Sequence, residues 1–158
     1  MAVGEFFGVP RSLAVEAIGE YQPKNNRSQM TRTERNSLIV DAYNANPSSM
    51  AAALDNFAAV QAPQKLALLG DMRELGEDSL AEHVAVVKRL AGSGFKSYLV
   101  GEEFAKALAQ TGPVEGVVAI FATSEELAAH FRANPVVGAT LLVKGSRGIQ
   151  MEKVIPEL

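Results

Sequence analysis

Three short polar clusters in the 158-residue chain hold side chains able to do chemistry. The first is Asp41-Ala42-Tyr43-Asn44-Ala45-Asn46-Pro47, which follows the apolar run Leu38-Ile39-Val40. A carboxylate at the end of a buried strand can accept both hydroxyls of a ribose, amides can read the edge of a purine, and a tyrosine ring can stack on the base. Local capping would use the same residue types. Asn46, directly before Pro47, suits a helix N-cap, whereas Asp41 at the strand end suits a ligand.

The second cluster, Gly70-Asp71-Met72-Arg73-Glu74-Leu75-Gly76, brackets three charged residues between glycines. That composition allows a sharply turned loop with its charges projected forward, and it equally describes a solvated turn. The third, Lys144-Gly145-Ser146-Arg147-Gly148, combines two cations, a hydroxyl and free backbone N–H groups ahead of a helical stretch. It is an anion-site composition, although a charged helix start looks similar. It is not a phosphate loop, because the spaced glycines before Gly-Lys-Ser/Thr are absent, and no Gly-x-Gly-x-x-Gly occurs anywhere in the chain. Arg27 lies in a polar linker-like stretch, from which it could reach a phosphate if two domains closed. His83 and His130 fall on predicted helices without partners and are expected to be surface or half-buried residues. Glu125-Glu126 favours a helix N-terminus.

The elements that must position these clusters follow from periodicity. A short helix is expected over residues 12–20 and a polar linker over 21–27. A hairpin follows, with an edge strand over 28–33 and a buried strand over 37–41. Met50, Ala53, Leu54, Phe57 and Ala58 recur at helical spacing, and Pro63 ends that helix. Lys65–Leu69, Ser97–Val100, Val117–Phe121 and Ala139–Val143 are expected strands. Helices between them are expected from a Ser79/Glu82 capping box, over Glu102–Gln110, from Thr123 or Ser124, and through Met151 and Val154. Strands alternating with helices predict an α/β, three-layer, Rossmann-like domain: a mostly parallel sheet of about six strands with one antiparallel edge strand. In such sheets ligands sit beyond the carboxyl ends of the strands, where all three clusters fall.

Composition narrows the function classes. A net charge of −3 gives no general attraction to nucleic acid or anionic membrane. The absence of cysteine excludes disulfides and thiolate metal sites, and two isolated histidines argue against an imidazole metal centre. The first ten residues lack the basic region of a signal peptide, and no segment is long enough to span a bilayer.

Taken together, Asp41-Ala-Tyr-Asn-Ala-Asn-Pro47, Leu69-Gly-Asp-Met-Arg-Glu-Leu-Gly76 and Val143-Lys-Gly-Ser-Arg147 resemble the carboxy-terminal domain of the Mur ligases over nearly the whole chain. The resemblance is to the branch that joins D-alanyl-D-alanine to UDP-N-acetylmuramoyl-tripeptide in peptidoglycan precursor synthesis, a cytoplasmic step of cell wall biogenesis that serves cell shape and division. Relatives outside that branch usually carry a histidine in the first motif.

The resemblance implies ATP-dependent amide-bond formation through an acyl phosphate. It places Asp41 on the ATP ribose, Tyr43, Asn44 and Asn46 near the adenine, and Arg27 on the phosphates after domain closure. Lys144 and Arg147 are implied as catalytic groups, and Asp71 and Ser146 as substrate-binding ones, all facing the peptide carboxylate and the dipeptide. It further implies that residues 1–26 are the remnant of a central ATPase domain and linker, and that residues 27–158 form the carboxy-terminal domain. The phosphate loop and the Mg²⁺ ligands belong to that central domain, so the chain alone is expected not to turn over. Its implied partners are the two substrates and the central and amino-terminal domains of the same polypeptide.

The rival expectations are another Mur-type or folylpolyglutamate-type ligase domain, a receiver-like signalling domain, and a stand-alone nucleotide-binding module. A receiver needs an acidic cluster beside its phospho-acceptor, whereas Asp41 has amides beside it.

Overall fold

The computed structural model describes residues 6–20 and 29–158. Six strands, β1 (Gln29–Arg32), β2 (Ser37–Asp41), β3 (Lys65–Gly70), β4 (Lys96–Val100), β5 (Val117–Phe121) and β6 (Thr140–Lys144), form one sheet in the order β1-β2-β6-β3-β4-β5. Only β1 is antiparallel, pairing with β2 from Gln29↔Val40 to Arg32↔Ser37. The other pairings are parallel and follow from helical crossovers. The α/β, mostly parallel arrangement with one antiparallel edge is the one expected.

Five α-helices accompany the sheet among the described residues: α1 (Arg11–Glu20), α2 (Pro47–Ala59), α3 (Ser79–Leu90), α4 (Glu102–Thr111) and α5 (Ser124–Ala133). Period-2 alternation in the central strands divides the core in two. Ala67, Leu69 and Leu142 point to one face, where Met50, Leu54 and Phe57 of α2, Val87 of α3 and Phe104 of α4 cover them. Leu66, Leu68, Leu141 and Val143 point to the other, under Leu127 and Phe131 of α5 and Met151, Val154 and Leu158. Both faces of the sheet are thus buried, as parallel strands require.

Local chemistry explains where the helices begin. Asn46 is extended at φ −137°, its Oδ1 accepts the Ser49 N–H at 2.8 Å, and the Asn46 N–H donates back to Ser49 Oγ at 3.1 Å. With Pro47 in the first turn, this is a capping box. Thr123 Oγ1 caps α5 by accepting the Glu126 N–H at 3.2 Å.

Two expectations are corrected here. The Ser79/Glu82 capping box does not form, because the chain reaches α3 through a 3₁₀ turn (Gly76–Asp78) and the Ser79 hydroxyl donates to Glu103 Oε2 at 2.7 Å. The terminal helix is not α-helical: it is a 3₁₀ turn (Arg147–Ile149) followed by a 3₁₀ helix (Met151–Glu157). Gln150 between them is left-handed at φ 57°, and Pro156 has no N–H to continue an α-ladder.

Candidate functional site

The order β2-β6-β3 brings the ends of three neighbouring strands together, and each end opens into one of the polar clusters. Asp41 and Lys144 are direct partners in the β2–β6 register, and Lys144 also pairs with Leu69 of β3. The Lys144 side chain is fully buried, and its Nζ donates to Asp41 Oδ2 at 2.5 Å and to the Asn44 carbonyl at 3.2 Å. A buried ammonium is tolerated only when such acceptors replace water. Lys144 is therefore turned inward, onto Asp41 and the Asn44 carbonyl.

Asp41 keeps about a fifth of its side chain exposed, and its Oδ1 accepts no hydrogen bond among the described residues. Beyond it, Tyr43 and Asn44 are exposed, and the Arg147 guanidinium lies 5.7 Å from the Tyr43 ring centroid. That separation is within cation–π range. Asn46, although exposed, uses its side-chain oxygen as the α2 cap. The first and third clusters thus bring together partly exposed Asp41 with exposed Tyr43, Asn44 and Arg147. Arg27, expected near a phosphate, lies outside the described residues.

Asp71 is buried, and it also faces inward. Its Oδ1 accepts the Phe104 N–H at 2.9 Å and its Oδ2 the Glu103 N–H at 3.0 Å, so the residue that follows β3 caps the N-terminus of α4. Gly101, which precedes α4, has φ +122° and leaves room for this carboxylate. Burial raises the Asp71 pKa, opposed by the two backbone N–H groups. Glu103, in the first turn of α4, is held below the usual carboxylate range by hydrogen bonds from Lys106 and Ser79.

His83, expected to be a surface or half-buried residue, is fully buried on the inner face of α3, edge-on to Phe104. The Met72 N–H donates to its Nε2 at 3.0 Å, and its Nδ1 donates to the Ser79 carbonyl at 2.7 Å. These roles assign the neutral Nδ1–H tautomer. Ser79 Oγ, His83 and Asp71 have the inventory of a nucleophilic triad, but the separations are 3.5 and 3.7 Å and both ring nitrogens are already engaged. The group is structural.

Ser146 ties the loops together. Its Oγ accepts the Arg73 N–H at 2.8 Å and donates to the Ala45 carbonyl at 3.3 Å, while its own N–H donates to the Asp71 carbonyl at 3.1 Å. It is buried, with its hydroxyl engaged between the two loops. Gly145 lets β6 pass close to β3: a Cβ there would lie 2.8 Å from Met151 Cγ and 3.1 Å from Gly70 Cα. Beside these loops a cleft of about 580 Å³ runs between the 71–76 loop, Ser79, Glu103 and Ile149. A larger hollow of about 670 Å³ lies at the opposite end of the sheet, against Lys65, Phe95 and Lys96, away from all three clusters.

Sequence reasoning missed His83 and Gly101 as parts of this framework. The available signals were the Ser79–His83 spacing of one helical turn and a glycine joining strand β4 to α4. Among the described residues no group of three or more His, Asp or Glu is placed to hold a metal ion, and no helix is long and apolar enough to cross a membrane.

Comparison with known proteins places this geometry. The family profile described as "Mur ligase, glutamate ligase domain" matches residues 26–147. A UDP-N-acetylmuramoyl-tripeptide–D-alanyl-D-alanine ligase from Treponema pallidum is 33% identical over 161 residues, which is 100% of this chain and 35% of that protein. A crystal structure of MurF from Acinetobacter baumannii superposes with a TM-score of 0.81 at 28% identity, over 96% of this chain and 34% of that one. MurF from Thermotoga maritima, solved in complex with ADP, shares the fold with a TM-score of 0.80 at 19% identity, over 99% of this chain and 35% of its own. The chain therefore spans about a third of the length of the curated relatives it matches.

Proposed function

The chain belongs to the Mur ligase family through its glutamate ligase domain, and from that premise we propose that it is the carboxy-terminal domain of an ATP-dependent ligase joining D-alanyl-D-alanine to UDP-N-acetylmuramoyl-tripeptide. The observation that carries this reading is the rim formed by half-buried Asp41 with exposed Tyr43, Asn44 and Arg147 at the carboxyl ends of β2 and β6. The rim offers a carboxylate oxygen for ribose hydroxyls, an aromatic face and an amide for a purine, and a guanidinium for an anion. Those are the groups an ATP molecule needs on one side.

Bound ATP supplies a phosphoryl group to the peptide carboxylate, and the D-alanyl-D-alanine amine then displaces phosphate to form the amide. In this division of labour the chain's own residues hold and orient. Asp41 takes the ribose, Tyr43 and Asn44 the base, and Arg147 an anionic oxygen of a phosphate or the peptide carboxylate. Asn46 starts the helix behind them, and Asp71 and Ser146 fix the loop that carries Arg73. Residues 1–26 are assigned to a central domain and linker, and residues 27–158 to the carboxy-terminal domain. That central domain holds Mg²⁺ and the remaining phosphate contacts, and Arg27 joins them on closure. The reaction is placed in the cytoplasm.

The test is ligation by the polypeptide as the cell makes it, given ATP, Mg²⁺, the UDP-linked tripeptide and D-alanyl-D-alanine, with the amide product read by mass spectrometry. The reading predicts ATP-dependent product and its loss in Asp41→Ala. It further predicts none from the purified 158-residue chain. Turnover by the chain alone, or ligation of a single amino acid in place of the dipeptide, contradicts it.

A further inference from the structure

We infer that Lys144 is a positioning residue: it sets the orientation of Asp41 and of the 41–46 loop for a ribose-bearing ligand without touching that ligand. The inference rests on the reading of Asp41 as the ribose acceptor. Three observations carry it. Lys144 is fully buried, so no ligand can reach its ammonium without rearrangement. Its Nζ holds only one of the two Asp41 oxygens, Oδ2, and Oδ1 accepts no hydrogen bond among the described residues, on a side chain that is about a fifth exposed. The same ammonium holds the Asn44 carbonyl at 3.2 Å, in the loop segment that presents Tyr43 and Asn44.

The physical consequence is an orientation lock. A free aspartate rotates about two side-chain torsions, and an exposed loop samples many backbone states, so presenting a fixed acceptor to a cis-diol would carry an entropic penalty at every binding event. Here the Asp41 carboxylate is held at Oδ2 by a charge-assisted bond from the neighbouring strand, and the Asn44 carbonyl is fixed by the same donor. Buried Ala42 and Ala45 on either side keep the loop close against the sheet. Preorganisation of this kind acts on the sugar contact specifically, because that contact is made by the oxygen Lys144 leaves free.

The experiment compares ATP with 2′,3′-dideoxyATP as substrates for the polypeptide as the cell makes it, in the wild type and in Lys144→Met, Asp41→Asn and the double variant. Folding of each is followed by thermal melting. Wild type is expected to prefer ATP over the dideoxy analogue by about tenfold in kcat/KM, the equivalent of one hydrogen-bonded pair to a charged group. Asp41→Asn reduces that preference toward unity. Lys144→Met is expected to do the same, mainly through a raised KM for ATP, and the double variant is expected to lose no further discrimination.

A general loss of stability lowers activity with both nucleotides and leaves their ratio unchanged, so a preserved ratio in Lys144→Met overturns the inference. Should that variant not fold, Lys144→Gln, which can bond only one of the two acceptors well, takes its place with the same expectation. If Asp41→Asn also keeps the ratio, the ribose reading itself falls. If Asp41→Asn loses the ratio and Lys144→Met keeps it, only the role of Lys144 falls.

Discussion

The carboxylate of Asp71 occupies the space that a side chain on Gly101 would fill: a Cβ at position 101 would lie 2.2 Å from Asp71 Oδ2. Gly101 also has φ +122°, a conformation that residues with a Cβ rarely adopt. Together they let a strand-end aspartate cap a helix on the neighbouring strand's connection. Gly101→Ala must therefore distort the backbone or expel the cap, and is expected to lower stability by about 2 to 5 kcal/mol in urea unfolding. Gly92→Ala, at positive φ but with nothing within 4 Å of the added Cβ, is the control and should lower it by about 1 kcal/mol.

The same carboxylate gives the chain a pH signature. Burial raises the Asp71 pKa above its ordinary 3.8. A group that holds its proton more tightly when folded contributes stability that is complete below the unfolded value and is lost as pH rises through the folded one. Glu103 works in the opposite sense: its pKa is lowered from 4.5, so its contribution is present above that value and fades as pH falls. Asp71→Asn removes only the first effect. Its stability relative to wild type should rise as pH is raised above 3.8 in a urea series, and a falling difference would contradict the assignment.

His83 and Ser146 hold successive amides of the second loop, those of Met72 and Arg73. His83→Phe preserves a ring against Phe104 but leaves the Met72 N–H without its acceptor, at an expected loss of about 1 to 3 kcal/mol. Ser146→Ala should lose about 1 kcal/mol and accelerate hydrogen exchange at Arg73 more than at strand amides such as Leu68. Equal acceleration throughout would show that the loop is not held locally.

Much of the framework was legible in the residue order because its signals are local. Leu38-Ile39-Val40 and Leu66-Ala67-Leu68-Leu69 could be seen as buried strands, and Asn46-Pro47 marks a helix start that the structure reproduces down to the Ser49 partner. What stayed hidden depends on contacts between distant segments. The charged loop around Asp71 is equally compatible with side chains projected forward and with a solvated turn, yet the partners of Asp71 are amides more than thirty residues away. Lys144 was expected to meet an anionic substrate, and it does meet a carboxylate, but one supplied by the adjacent strand. His83 lacks a partner in its own helix outside the first turn, so its burial follows from the Met72 amide that packs onto it. The final segment carries a helical apolar pattern, but left-handed Gln150 and Pro156 turn it into 3₁₀ pieces.

Arg147 and Tyr43 form the part of the rim where a planar base or an anion would enter, 5.7 Å apart. Replacing Arg147 by Ala is expected to raise KM for a charged substrate by about tenfold, the loss of one charge-assisted contact, without changing the melting temperature, since the side chain is exposed. A drop in Tm with KM unchanged would assign Arg147 a structural role.

The most direct test of the account is a titration of the ¹⁵N-labelled chain with ADP, followed by amide NMR. One wall of a nucleotide site predicts shifts concentrated at Asp41, Tyr43, Asn44 and Arg147, weak in affinity because the facing wall belongs to another domain. Shifts confined to the hollow at Lys65, Phe95 and Lys96 at the opposite end of the sheet, or none at the Asp41–Arg147 rim, would contradict it.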